Sequence, residues 1–218
     1  MDEDDSFIVL DKPAGLLSVP GRGADKQDCL SARVQALQPQ ALVVHRLDMA
    51  TSGLVIMAKG LAAQQALSRS FEQRRADKRY TAVVWGTLVP DNPTDWQTID
   101  LPLTPDWPAR PKSKVCLETG KPSLTHWQVI ETPQEAPPIS VAHTRVLLHP
   151  VTGRSHQLRV HLLALGHPIL GDALYGEDFD GHSGVLHATP RLMLHATSLT
   201  LPHPVTGVTL HWTSPPPF

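Results

Sequence analysis

The chain has 218 residues, of which 41% are hydrophobic and 18% charged, with a formal net charge of −2. That is the make-up of an ordinary globular protein with one substantial core, or one domain with a smaller lobe. The near-neutral balance excludes bulk basicity as a route to nucleic acid, so any phosphate contact must rest on local basic patches. No apolar run approaches the roughly 20 residues of a membrane span, and the acidic start Asp2-Glu3-Asp4-Asp5 is unlike a basic signal peptide.

Along the chain, Phe7 to Leu10 reads as a strand, ended by the turn Lys12-Pro13-Ala14-Gly15. A glycine-rich loop, Gly21-Arg22-Gly23, leads to a helix over Leu30 to Leu37, where Leu30, Val34 and Leu37 recur at helical spacing before Pro39. Ala41 to Asp48 reads as a strand whose alternation puts Leu42, Val44, Arg46 and Asp48 on one side. A small-residue loop over Met49 to Gly53 precedes an apolar strand at Leu54 to Ala58. Leu61 to Arg75 is the strongest helix, with Ala63, Leu67 and Phe71 on one face.

Tyr80 to Leu88 reads as a strand ending at Gly86, and Pro90 to Pro111 as loop. Strands follow at Ser113 to Leu117, Ser123 to Glu131 and Val141 to His149. A helix over about Ser155 to Leu165 closes at Gly166. Gly176 to Gly184 reads as a polar loop, and the chain returns to strands at Leu192 to Leu201 and Val208 to Trp212. Abundant proline, 21 residues, argues for defined turns rather than long helices. Strands outnumber helices and most links are too short for helical crossovers. The expected class is α+β, a mainly antiparallel mixed sheet with flanking helices, in one domain over residues 1–218 without repeats or a linker.

Asp48 ends an apolar strand before a small-residue loop, a place from which a carboxylate can project into a cleft. A turn-forming aspartate is the competing reading. Around Thr152 to His161, a helical path puts His156, Arg159 and Leu163 on one face, opposite a core stripe of Leu158, Leu162 and Leu165. Arg159 then points away from the core, either solvated or into a cleft. A cation near a helix start is electrostatically disfavoured, which hints at a nearby anion.

Two basic segments, Arg69 to Tyr80 and Arg110 to Lys121, can meet phosphates, although such runs are often only solvated faces. The 12 histidines have no HExxH or Cys/His ligand spacing, so no metal site is expected. Cys29 and Cys116 form no CxxC pair, which fits a reducing cytoplasm. Nucleotide-loop and nucleophile-elbow patterns are absent from the sequence.

His45-Arg46-Leu47-Asp48-Met49-Ala50-Thr51-Ser52-Gly53 resembles the catalytic motif of the RluA family of RNA pseudouridine synthases. Lys12-Pro13-Ala14-Gly15-Leu16, Lys78-Arg79-Tyr80, Gly153 to His161, Gly166 to Asp172 and Arg191 to Ala196 resemble further motifs of that family, in the same order. Asp106 to Val115, together with Glu118-Thr119-Gly120-Lys121-Pro122, is similar to the dual-specificity branch, which modifies a tRNA anticodon stem-loop and a large-subunit rRNA loop. The resemblance implies a catalytic domain with a central RNA-binding cleft and no N-terminal S4-type domain.

By that resemblance Asp48 is the catalytic carboxylate, Arg159 its charge partner, and Tyr80 the residue that stacks on the flipped base. Arg46 enters the helical stack as the uridine leaves it. His45, Arg110, Lys112, Lys114, Arg154 and His156 complete the expected RNA contacts. The isomerisation breaks the N1–C1′ bond and rejoins the base through C5, so it calls for no cofactor and no metal. Asp48 attacking C1′ and Asp48 removing the 2′ proton both stay open. A loop uridine is the least costly to flip, which suits a stem-loop substrate. A cytoplasmic monomer without membrane contact is the default expectation. The rival readings are a non-catalytic RNA-binding or folding factor on the same scaffold, and a carboxylate hydrolase, for which Asp172 is the tempting second acid.

Overall fold

The computed structural model describes residues 2–131, 139, 141–176, 179 and 184–218. In chain order the elements are β1 (Asp2–Glu3), β2 (Phe7–Lys12), α1 (Leu30–Leu37), β3 (Ala41–Val43), β4 (Ser52–Lys59), α2 (Leu61–Glu72), β5 (Asp77–Trp85) and β6 (Gln97–Asp100). They continue with β7 (Leu103–Pro105), β8 (Ser113–Val115), β9 (Leu124–Glu131), β10 (His143–Pro150), α3 (Gln157–Ala164), α4 (Gly184–His187), β11 (Leu194–Pro202) and β12 (Thr209–Thr213). The class is α+β with a mainly antiparallel mixed sheet. The chain divides into two compact units, Met1–Lys78 with His195–Pro217, and Arg79–Leu194 with Phe218.

In the first unit, β2 pairs antiparallel with β4 over its whole length, from Phe7↔Ala58 to Lys12↔Gly53. β3 covers the far part of β4 antiparallel, and β11 joins its beginning in parallel at His195↔Ser52 and Ala196↔Gly53. β12 returns antiparallel on β11. One sheet face, with Val9, Leu54, Ile56, Leu199 and Leu201, packs on Ala63 and Leu67 of α2. Burying such aliphatic side chains contributes roughly 1.5–3 kcal/mol each. Cys29 caps α1 by accepting the Ala32 N–H, and the backbone of Gln38, at φ −133° and ψ 80°, leaves the helix before Pro39.

In the second unit, β5, β10, β9 and β6 pair in that order, all antiparallel. The segment Pro168–Leu170 docks beside β5, with Trp85 N–H on the Pro168 carbonyl and Leu170 N–H on the Val83 carbonyl. β7 and β8 form a separate hairpin whose Leu103 packs with Val160 of α3 and with Tyr175.

Three expectations change. The strand expected over Ala41 to Asp48 ends at Val43, because residues 44–51 spend their hydrogen bonds on side chains and on a turn (below) rather than on a ladder. The loop expected from Pro90 to Pro111 contains β6 and β7; both are three or four residues long, too short to show periodicity. The helix expected from Ser155 begins at Gln157, since His156 stands in the left-handed region at φ 55°. Most of the loop expected at Gly176 to Gly184 lies outside the described residues.

Candidate active site

Asp48 sits in the first unit on a loop clamped on both sides of it. On the near side, the buried Leu47 donates its N–H to Ser18 Oγ at 3.1 Å, and its carbonyl accepts the Ser18 hydroxyl at 2.7 Å. On the far side, the Met49 carbonyl accepts from Lys12 Nζ at 3.1 Å and from the Gly15 N–H at 2.8 Å. Lys12 is fully buried, and its ammonium also donates to the carbonyls of Pro13 and Leu16, at 2.9 and 2.8 Å. An ammonium removed from water needs such acceptors. Here they bind the Lys-Pro turn to the residue after Asp48. The Thr51 N–H closes a turn on the Asp48 carbonyl. Asp48 itself is partly buried, and Arg46 is exposed.

His45 fixes the entry to this loop. Its Nε2 accepts the Ile56 N–H at 3.1 Å, and its ring stacks on Phe71 with 4.5 Å between centroids. Burial, helped by the positive Lys78, pushes its pKa down to about 3, so the ring is neutral and suited to accepting. His45 thus brackets the loop against β4 and α2. Burial likewise lowers the Lys78 pKa, against the opposing pull of Asp77.

The loop's exit is held by β11. Gly53 has φ +110°, and a Cβ there would lie 2.4 Å from the Ala196 carbonyl oxygen and 2.5 Å from its nitrogen. Only glycine permits this approach. Next to it, His195 is buried with both ring nitrogens engaged: Nδ1 lies 2.8 Å from Ser52 Oγ and Nε2 3.0 Å from Ser214 Oγ. Ser214 donates its hydroxyl proton to Asp11 at 2.5 Å, so it accepts from His195 Nε2–H.

In the second unit, α3 is buried nearly all round, from Gln157 to Leu162. The expected single core stripe is therefore too narrow, and Leu165, assigned to it, is 37% exposed. Gln157 orders the turn before the helix: its Oε1 accepts the Thr152 hydroxyl and the Arg154 N–H, and its Nε2 donates to the Leu124 carbonyl and Thr125. Arg154 is exposed, with its guanidinium 3.4 Å from the Pro122 carbonyl.

Arg159 is buried, which overturns a solvated position. Its Nε and one terminal nitrogen meet the two oxygens of Asp172 at 2.7 and 2.6 Å. The anion anticipated near this helix start is thus Asp172. Its Oδ1 also accepts the N–H groups of Leu174 and Tyr175. Tyr175, buried, lies under the Arg159 guanidinium at 5.0 Å. Its hydroxyl accepts the Ser113 N–H and lies 2.8 Å from His156 Nδ1. Asp172 and Tyr175 therefore join α3 to the β7–β8 hairpin. Asp172 is 1% exposed and engaged on both oxygens, so it is not placed to activate water as the second acid of the hydrolase reading.

Tyr80, partly exposed, stands on β5 opposite Leu148 of β10. Lys112 lies 6.0 Å from the Tyr175 ring, Lys114 pairs with Asp106 at 3.1 Å, and the Arg110 guanidinium lies over the Trp107 ring. The first unit thus gathers His45, Arg46 and Asp48 on one loop. The second gathers Arg159, His156 and Lys112 around Tyr175, with Arg110 and Lys114 on the hairpin.

Residues 6–164 match the family model described as RNA pseudouridylate synthase. The dual-specificity RNA pseudouridine synthase RluA of Escherichia coli (strain K12) is 47% identical over 216 residues, covering 99% of this chain and 92% of the relative. The protein of the same name from Yersinia pestis is 48% identical over 96% of this chain and 95% of its own length. Among solved structures, human RNA pseudouridylate synthase domain containing 1 matches with a TM-score of 0.80 at 31% identity, covering 100% of this chain and 82% of the other. The human domain containing 4 protein shares the fold, with a TM-score of 0.74 at 23% identity over 99% of this chain and 87% of the other.

Proposed function

This chain belongs to the RluA family of RNA pseudouridine synthases, isomerases that act on RNA, and on that premise we propose that it converts uridines of exposed RNA loops to pseudouridine through Asp48. The reaction breaks the N1–C1′ bond and makes a C5–C1′ bond. The C5 proton leaves and N1 gains one, so atoms and electrons balance within substrate and water. The substrates are a tRNA anticodon stem-loop and a large-subunit rRNA loop, in keeping with the dual-specificity name of relatives 47% identical over nearly the whole chain.

The observation that carries the reading is the clamp around Asp48: Ser18 on Leu47 and Lys12 on Met49 hold the carboxylate's backbone from both sides. Preorganisation of this kind keeps a reacting group in place without reorganisation during the step. Asp48 acts at the sugar, by attack at C1′ or by taking the 2′ proton. Arg159, fixed by Asp172, is the charge partner that the family resemblance assigns to Asp48. Tyr80 stacks on the flipped base while Arg46 fills the space left in the helix. Arg110, Lys112, Lys114 and Arg154 meet backbone phosphates, which makes binding salt-dependent. His156, tied to Tyr175, keeps its place among the RNA contacts. The protein works as a monomer in the cytoplasm.

To test this, the two RNA stem-loops are incubated with the protein and pseudouridine is mapped by chemical derivatisation. Pseudouridine at one loop uridine in each is expected. RNA binding with no pseudouridine in either would refute the proposal and favour a binding or folding factor.

A further inference from the structure

The β7–β8 hairpin is rooted in the second unit and open at its tip. At the root, Leu103 is buried, Ser113 N–H donates to the Tyr175 hydroxyl, and Leu103 and Lys121 exchange backbone bonds. Toward the tip, Asp106 N–H bonds the Lys112 carbonyl, Ala109 N–H the Asp106 carbonyl and Lys112 N–H the Ala109 carbonyl. The Asp106–Lys114 ion pair adds a further tie. The turn is therefore shaped before any ligand arrives.

On this shaped turn, Trp107 is 66% exposed. Single exposed apolar residues need no explanation in general. Trp107 differs in its surroundings: the Arg110 guanidinium lies 3.5 Å from its ring centroid. One face is thus covered by a cation, so an exposure of two-thirds leaves the other face to solvent. Lys112 closes the same turn, and Lys114 follows on β8, where it pairs with Asp106. An indole on a hydrogen-bonded turn, with one face covered by a guanidinium and the other open, is the pairing that single-stranded RNA binds: bases stack on the ring and phosphates meet the charge.

We infer that Trp107 is a stacking platform for an unpaired nucleotide of the RNA substrate, with Arg110 held against the ring to meet the neighbouring phosphate. This rests on the isomerase reading only for the choice of RNA. Stacking adds affinity with little dependence on base identity, so Trp107 serves either loop of a dual-specificity enzyme. Uridine selection is left to the site around Asp48.

The test is the Kd of a fluorescein-labelled tRNA anticodon stem-loop, measured at several salt concentrations, with thermal unfolding of each variant alongside. Trp107→Ala is expected to weaken binding about 5- to 150-fold. Trp107→Phe should stay within about 3-fold of wild type, because the stacking surface persists. The salt slope should be unchanged by Trp107→Ala and reduced by about 0.7–0.9 by Arg110→Ala. Addition of RNA should quench a component of tryptophan emission that is missing in Trp107→Phe, a readout independent of variant stability. Trp107→Ala binding as tightly as wild type, equal losses in the Ala and Phe variants, or no such quenching overturns the inference. Failure of the isomerase reading shows separately, as a wild type that binds this RNA but makes no pseudouridine.

Discussion

Asp172→Asn probes the buried pair that holds Arg159. The two side chains are 4% and 1% exposed, and two N–H···O bonds of 2.7 and 2.6 Å join them. Asparagine keeps the shape and one carbonyl oxygen for the Leu174 and Tyr175 N–H groups, so the loss falls on the guanidinium. A buried arginine deprived of its anion costs about 3–5 kcal/mol. With whole-protein stability of about 5–15 kcal/mol, that is a large share. In urea, at about 2–3 kcal/mol per molar, the unfolding midpoint should fall by about 1–2.5 M. The double variant Arg159→Met/Asp172→Leu should recover much of that loss, since apolar replacement of both partners is often neutral. It should remain inactive, because the guanidinium is gone. An Asp172→Asn midpoint within about 0.3 M of wild type would refute the reasoning, as it would mean the pair is not buried in solution.

His45 gives a pH dependence of definite sign. Its pKa falls from 6.5 to about 3 on folding, so the unfolded chain binds the extra proton between those values. Its contribution is full above pH 6.5 and is lost as pH falls toward 3, by up to about 1.4 kcal/mol per unit. His45→Gln should therefore show a shallower acid loss in urea midpoints at pH 7, 5 and 4, and an unchanged slope contradicts the assignment. Gly53→Ala should unfold or lose several degrees in Tm, since its Cβ meets Ala196 backbone at 2.4 Å. Gly207→Ala, also at positive φ (+75°) but with nothing within 4 Å, should cost only about 1 kcal/mol of conformational strain. Equal losses would show that φ, not the Ala196 approach, matters. Lys12→Met should lower kcat for RNA with little change in RNA affinity, because Lys12 supports the loop from within. A change in affinity alone would count against that role.

Much of this was legible in the chain. Apolar periodicity located α1 to the residue and α2 to within three residues of its end. The ordered motifs pointed to the family, which the full-length relatives bear out. What stayed hidden was the use of polar groups. Nothing local in Ala41 to Asp48 shows that Ser18, 29 positions away from Leu47, would take both backbone groups of that residue and end the strand early. Arg159 at a helix start did signal an anion, but choosing Asp172 required the docking of Pro168–Leu170 on β5. The roles of His195, Ser214 and Tyr175 are likewise tertiary; each looks like an ordinary polar or aromatic residue until its partners arrive.

The most direct measurement is release of tritium from C5 of uridine in a stem-loop RNA, wild type against Asp48→Asn, with RNA binding followed in parallel. Asparagine is nearly isosteric but carries no charge. Release by the wild type, and none by the variant despite intact binding, is the predicted result. Release by Asp48→Asn at the wild-type rate would contradict the assignment of the chemistry to this carboxylate.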